Sequence, residues 1–509
     1  MEFSRSFVAV TLMTAALPLC AQAPSPEPQV FGEAIDVRVV NVEAVVTDEK
    51  GERVRGLAAA DFRLLVDGKE VPVEYFTEVA DGTATAAGTA APVSAGETVA
   101  RSYLIYIDES FSIPGIRNEV LEKLERDLAL LGPDDRMAVL AFDGSRIQVL
   151  SGWTGDRALL AAAFQRARLR PAHGGEMLAH ERKLQADVDW VIVSADSLDD
   201  GDTSGPSAVG AILQALEPRI SPEARTQLGK TASSAAASLR GFEVPPGRKV
   251  MLMLSGAWSL GVAPRLYGPM IEAANRLGYT IYPVDVAQSH PKAVTALGAL
   301  AERTGGKVLV SAKMEAFRQV VEDAGSYYWL GFTPDWKADD RGRRVVVEAR
   351  RKDLRVRSRN GFSDLSPRTE NAMKAESVLL FGGVEAERRL VVQIGQPRRA
   401  GRGEVEIPVT LGVPVEALAL TPKGRGFVAE TPLSVAAMDG GGGRSDLPGS
   451  RLRVEIQKPP GAGTFARFQT VVRLRDTQQR LVFTVHDPVE GKAIWGEATF
   501  APKTKQAKK

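Results

Sequence analysis

From Arg101 onward, uninterrupted apolar runs alternate with stretches of helical spacing. Tyr103-Leu104-Ile105-Tyr106-Ile107 is followed by Val120, Leu121, Leu124, Leu128 and Leu131 on one helical face. Met137 to Phe142 and Arg146 to Leu150 predict a strand and its hairpin partner, and Asp156 to Ala167 a helix. Val250 to Leu254 predicts a further buried strand. Helices over Gly268–Leu277, Ala293–Thr304 and Ala316–Ala324 are interleaved with strands over Thr280–Val286 and Lys307–Val310. A strand apolar on both faces must be covered on both faces, so this pattern predicts an α/β domain with a mainly parallel sheet over residues 101–325. Helical patterns around Met177–Val193, Ala208–Leu216 and Ala224–Leu239 interrupt it, and residues 176–246 read as a helical insertion on that core.

On either side the period falls to two. Val37 to Val46 is mostly β-branched, and Phe62 to Val66 meets Val71 to Phe76 through Asp67-Gly68, a hairpin signal. Residues 31–80 therefore read as a β module, and residues 81–100, rich in Ala, Gly and Thr, as a linker. Strands are expected again over Tyr327–Phe332, Arg344–Ala349 and Leu354–Arg357. Neither segment alone has enough strands for a core, so residues 326–364 are expected to pack with the N-terminal module. Asp364 to Met373 reads as a linker or helix start. Six further alternating runs between Arg389 and His486 predict a C-terminal β-sandwich over residues 385–502, and residues 503–509 a disordered basic tail.

The first segment has a different character. Arg5 precedes the apolar run Phe7 to Cys20, and Ala21-Gln22-Ala23 supplies small residues for cleavage. Residues 1–23 thus read as a signal peptide cut between Cys20 and Pro24, and the chain as exported to periplasm, cell surface or medium. The run is shorter than the roughly 20 residues a membrane helix needs, and no later stretch qualifies. Cys20 is the one cysteine, so the mature chain has no internal disulfide and depends on its cores. At roughly 100–200 residues per domain, 509 residues suit about three domains. Lys and Arg total 64 against 63 Asp and Glu, which argues against a dedicated nucleic-acid binder.

Candidate chemistry concentrates where the first buried strand ends, at Asp108-Glu109-Ser110-Phe111-Ser112. Ligands of open α/β sheets bind at the carboxyl ends of strands. A carboxylate with two hydroxyls is a hard oxygen set, suited to Mg²⁺, Ca²⁺ or Mn²⁺. With the Asp-x-Ser-x-Ser loop stand several further marks: Val45-Val46-Thr47-Asp48-Glu49-Lys50-Gly51 with Leu57 and Asp61-Phe62, Gly132-Pro133-Asp134-Asp135-Arg136, Gly247-Arg248-Lys249-Val250, and Ser326-Tyr327-Tyr328-Trp329-Leu330-Gly331-Phe332-Thr333-Pro334. In this order the chain resembles the von Willebrand factor type A (VWA) fold, and within it the exported VWFA-related family of acidobacterial type, over nearly the whole mature length. The resemblance implies a Rossmann-type α/β domain flanked by all-β sandwich modules. It also implies a metal-ion-dependent adhesion site with Asp108, Ser110 and Ser112 in its first loop. Two positions depart from the family pattern: Gly174-Gly175-Glu176 where Gly-Gly-Thr is usual, and Ser255-Gly256-Ala257 where Ser-Asp-Gly is usual. Glu176 and Ser255 each offer an oxygen in compensation. Without a metal, Ser110 and Ser112 simply cap the helix that follows.

Other motifs carry less. Gly229-Lys230-Thr231 matches the end of a phosphate-binding loop, but its first glycine is replaced by Ala224 and a helical pattern precedes it. His180-Glu181 begins a zinc-protease pattern that Leu184 breaks, and the four histidines are scattered. Asp196, Asp199, Asp200 and Asp202 miss calcium-loop spacing, and the arginines from Arg341 to Arg359 fit the exposed faces of two strands. No spacing pairs a nucleophile with a base. The sequence reading is thus a non-catalytic exported protein that binds a protein partner through the loops around Asp108, with Asp108, Ser110, Ser112 and Glu176 as metal ligands and an acidic partner side chain completing the shell. The alternatives are an envelope structural protein with a vestigial site and a hydrolase.

Overall fold

The computed structural model describes residues 39–87, 94–175, 179, 222–241, 247–256, 267–287, 291–310, 315–336, 338–381, 390–424, 426–439, 444–447, 449–457, 463–487 and 492–502. All of them lie within one compact unit, Val37–Lys509. Strand β1 (Val40–Thr47) opens the chain, followed by β2 (Phe62–Val66), β3 (Lys69–Val71), β4 (Tyr75–Ala80) and β5 (Thr83–Ala87). Asp67 and Gly68, at φ of 49° and 81°, form the two-residue turn between β2 and β3, where Val66 pairs with Lys69. Strand β5 falls within the segment expected to be a linker. Its sequence, Thr-Ala-Thr-Ala-Ala, has no large side chain to mark a buried face, yet it pairs with β4 at the sheet edge.

The α/β domain begins at β6 (Arg101–Asp108) and continues through α1 (Pro114–Arg126), β7 (Arg136–Phe142), β8 (Ile147–Thr154), α2 (Arg157–Arg168), α3 (Pro222–Gly241) and β9 (Arg248–Ser255). It then runs through α4 (Gly268–Leu277), β10 (Tyr279–Asp285), α5 (Pro291–Arg303), β11 (Leu309–Val310) and α6 (Ala316–Gly325). The strand order is β11-β10-β9-β6-β7-β8, all parallel except the β7–β8 pair. Within the domain this is the doubly wound order 3-2-1-4-5-6 read from the other edge. Tyr103, Ile105 and Ile107 of β6 face α1, α2 and α6, whereas Leu104 and Tyr106 face α3 and α4. Both faces of the central strand are therefore dry, which is why its sequence is continuously apolar.

Helix α3 occupies the end of the stretch read as an insertion, but it belongs to the core. Leu228, Ala235, Ala236 and Leu239 are buried with Met251, Met253 and Tyr267. Its buried face is built of Ala, Ser and Thr, so the helix lies close to the sheet while its sequence shows little amphipathic contrast.

After α6 the chain returns to the first module with β12 (Tyr327–Phe332), β13 (Gly342–Ala349), β14 (Arg355–Ser358) and β15 (Gly361–Ser363). The two sheets of that module, β14-β1-β12-β4-β5 and β15-β13-β2-β3, each mix strands from before and after the α/β domain. Val42 opposes Leu330 and Val66 opposes Val345. Between the sheets, Phe62, Phe76 and Tyr328 form a ring cluster with centroids 5.2–6.0 Å apart, and Val42, Leu64, Leu330 and Phe362 fill the rest of the core.

Helix α7 (Pro367–Phe381) leads to the C-terminal strands β16 (Val391–Ile394), β17 (Arg398–Gly401), β18 (Glu404–Pro414), β19 (Thr421–Lys423) and β20 (Gly426–Asp439). The chain ends with β21 (Arg444–Asp446), β22 (Ser450–Ile456), β23 (Phe465–Arg475), β24 (Gln479–Asp487) and β25 (Lys492–Phe500). They make two antiparallel sheets over a shared core that includes Ile407, Leu411, Leu452, Leu481 and Phe483. Ala375, Val378 and Leu379 of α7 pack on Val482 and Trp495, so the helix covers one sheet face.

Candidate functional site

The last residue of β6 is Asp108, fully buried, and the loop after it folds back over its carboxylate. Oδ1 accepts from the Ser110 amide at 3.0 Å, and Oδ2 accepts from the Ser255 hydroxyl at 2.8 Å. Ser255 ends β9, the neighbour of β6, so two adjacent strand ends meet at one carboxylate. The Ser112 hydroxyl donates to the Asp108 main-chain carbonyl. Burial pushes the Asp108 carboxyl up to about 7, against the hydrogen bonds from Ser255 and from the Ser110 and Phe111 amides, which favour the ionised form. Among the described residues, no ion pair to Asp108 is found, and burial outweighs the hydrogen bonds.

Glu109, also fully buried, is paired with Arg170, whose Nη2 donates to Oε2 at 2.9 Å. That pair ties the segment after α2 to the first loop. The His173 amide donates to the Glu109 carbonyl at 2.7 Å and the Gly174 amide to the Ser112 carbonyl at 3.2 Å. A Cβ at Gly174 would lie 2.6 Å from the Ser112 carbonyl oxygen, so only glycine permits this approach. From below, buried Arg117 of α1 donates to the carbonyls of Arg168, Arg170 and Pro171 at 2.8–3.4 Å. The second loop is thereby seated against Asp108-Glu109-Ser110-Phe111-Ser112 as far as Gly175. Glu176 lies outside the described residues.

Helix α3 closes the site from the other side. Gln227 Nε2 donates to the Ser110 hydroxyl at 3.0 Å and to the Gly144 carbonyl at 3.2 Å. One turn further on, Thr231 is fully buried, and its hydroxyl faces the Asp108 carboxylate closely enough to hold down its pKa. The geometry nevertheless falls short of a hydrogen bond, and Thr231 Oγ1 is left orphaned. The Tyr267 hydroxyl is close enough to feel the Asp108 charge. Asp108, Ser110 and Ser112 thus lie together in the first loop, and Thr231 of α3 stands beside them. Its signal was present in Gly229-Lys230-Thr231, ahead of the Ala/Ser-rich half-helix that runs toward β9. Weighed only as a phosphate-loop remnant, it was set aside. Among the described residues, no group of three or more His, Cys, Asp or Glu is gathered to hold a metal. Among the described residues, Asp108 is the carboxylate that accepts from Ser110 and Ser255, with Glu109 turned to Arg170.

Hydroxyls from three separated segments around one ionisable carboxylate form a hard oxygen set. Such a set can ligate a small divalent cation, and an orphaned buried hydroxyl is a group that a cation would satisfy. The described residues therefore fit a bound Mg²⁺, Mn²⁺ or Ca²⁺ in donor type, with less negative charge than a site of several carboxylates.

No family model matches the chain, and no curated protein matches it. A solved structure, the crystal structure of the SpRpn10 VWA domain, aligns with 43% of this chain and 93% of that one, at 11% identity and a TM-score of 0.25.

Proposed function

We propose that this chain is an exported, non-catalytic binding protein of VWA type. Its recognition surface is formed by the loops at the carboxyl ends of β6 and β9, and a divalent cation there is shared with a partner's carboxylate. The observation that carries this reading is the state of Asp108: a buried carboxylate at a strand end, hydrogen-bonded by hydroxyl and amide groups, with no ion pair to it among the described residues. Asp108, Ser110 and Ser112 would hold the ion with Thr231, and Glu176 is retained as a further anionic ligand. The ion, when bound, supplies positive charge for an acidic side chain of the partner. A single facing carboxylate leaves a divalent ion under-neutralised, so metal and partner should each raise the other's affinity by the same factor.

Titration of the chelator-treated protein with Mn²⁺ and Mg²⁺, followed calorimetrically, tests this. Saturable binding that is lost in Asp108→Ala and weakened in Thr231→Val is the expected result. Absence of binding in the wild type would overturn it. A second reading, a structural envelope protein with a vestigial site, draws on two contacts: the Ser112 hydroxyl is turned to a main-chain carbonyl, and Gln227 covers Ser110. Metal-independent partner binding that survives Asp108→Ala would favour it.

A further inference from the structure

A separate cleft of about 480 Å³ lies between the α/β domain and the C-terminal sandwich, where α3, α4, α7 and β20 converge. That volume falls within the range of small-molecule sites, which favour such inter-domain seams. Its lining divides by chemistry. It combines apolar side chains, Met373, Leu379, Val435 and Leu447, with Arg240, Arg276 and Arg368 and the carboxylate of Glu376.

Two of the three arginines have structural partners. Arg240 and Arg276 stand in the last turns of α3 and α4, where a cation complements the helix end, and they meet Glu376 at 3.5 Å and Glu272 at 3.0 Å. Arg276 is still not satisfied, since its Nε is buried without a hydrogen-bond partner. Arg368 has no such explanation. It sits in the first turn of α7, the end of a helix where a cation is unfavourable, and its guanidinium lies beside Gly449, with no ion pair to it among the described residues. Asp340 accepts from the Ser366 amide at 2.7 Å and the Ser366 hydroxyl at 2.6 Å, and lies near enough to Arg276 to feel its charge.

We infer that this cleft binds a small carboxylic acid with an apolar body, its carboxylate received by Arg368 and Arg276 and its body lying along Met373, Leu379, Val435 and Leu447. Guanidinium forks favour a planar carboxylate, and the apolar side chains reject a free inorganic anion. This site is independent of the Asp108 loops and of any metal there.

Octanoate is the probe, titrated calorimetrically into the full mature chain, with octanol and inorganic phosphate as comparisons. Saturable one-to-one binding of octanoate is expected, with octanol and phosphate each at least about tenfold weaker. Arg368→Ala should weaken octanoate by about tenfold or more while leaving the unfolding midpoint in place, because Arg368 is exposed. Arg368→Lys should fall between the two. Equal binding of octanol and octanoate, unchanged affinity in Arg368→Ala, or no saturable octanoate binding would each overturn the inference.

Discussion

Two carboxylates buried in the same α/β domain have opposite electrostatic fates. Asp323, near the end of α6, is surrounded by cations. Arg357 Nη2 lies 2.8 and 2.7 Å from its two oxygens, Arg53 pairs with Oδ1, Lys307 Nζ stands at 3.6 Å, and the Tyr282 hydroxyl donates to Oδ2 at 2.6 Å. Despite burial, these charges hold its carboxyl well below the usual carboxylate range. Asp108 has hydroxyls and amides in place of cations and is pushed up to about 7. Arg53 and Arg357 belong to the β module, so the Asp323 cluster joins two modules and its charge is consumed in doing so. Among the described residues, no cation is paired with Asp108. A buried anion with its counter-ions built in is architecture, whereas one without them is a place for a cation to arrive.

The comparison breaks most visibly at Asp323. Asp323→Ala leaves two arginines, a lysine and a tyrosine hydroxyl facing an empty site and should cost about 3–5 kcal/mol in urea unfolding. The pH profile carries the same information. Because the folded pKa is depressed, the wild type keeps this contribution above the unfolded value of about 4 and loses it as pH falls below that. Asp323→Asn should flatten that acid limb. A profile identical to wild type would show that the cluster is not what holds the modules together.

Gly174→Ala should have the next largest effect. Its methyl group meets the Ser112 backbone, and about 1–3 kcal/mol of overpacking is expected, with the second loop displaced. Loss of metal response out of proportion to loss of stability would tie loop seating to the site. Asp108→Asn should act in the opposite sense to Asp323→Asn. A carboxyl whose folded pKa lies above its unfolded value loses stability as pH rises from about 4 toward 7. In chelator at pH 8 the Asn variant should therefore equal or exceed wild type in unfolding midpoint. Divalent ions should raise the midpoint of wild type alone. Thr231→Val is the smallest perturbation: it removes a hydroxyl that makes no hydrogen bond, so the metal-free midpoint should shift by less than about 1 kcal/mol in equivalent stability. A large destabilisation would mean that the hydroxyl is not orphaned in solution.

Where the sequence was legible, a side chain's size or shape recorded its burial. Tyr103 to Ile107 could only be a strand covered on both faces, and Asp67-Gly68 could only turn a hairpin tightly. Burial by small residues leaves no such record. Thr83 to Ala87 resembled a linker, and the close packing of α3 was hidden in Ala, Ser and Thr. Thr231 was missed for a related reason. Its partner at the site, Asp108, lies far away in sequence, and only the packing of α3 on the sheet brings the two together. Glu176, expected as an anionic ligand because the Gly-Gly before it lets the backbone come close, belongs to a loop described only as far as Gly175.

The mixed sheets of the first module set the order in which the protein can be made. Among the described residues, β1 has β14 and β12 as its strand neighbours, and both emerge after the whole α/β domain. While that domain is being synthesised, the valine-rich β1 has no edge of its own module to pair with, and β2 has only the three-residue β3. Completion of the module must wait for a contact of very long sequence separation, which is slow to form from an open chain. A folded α/β domain shortens that search, because Arg101 at its start and Ser326 just past its end are held close by its own packing. Biogenesis therefore has a direction: the inserted domain must fold first and then act as the template on which its host closes.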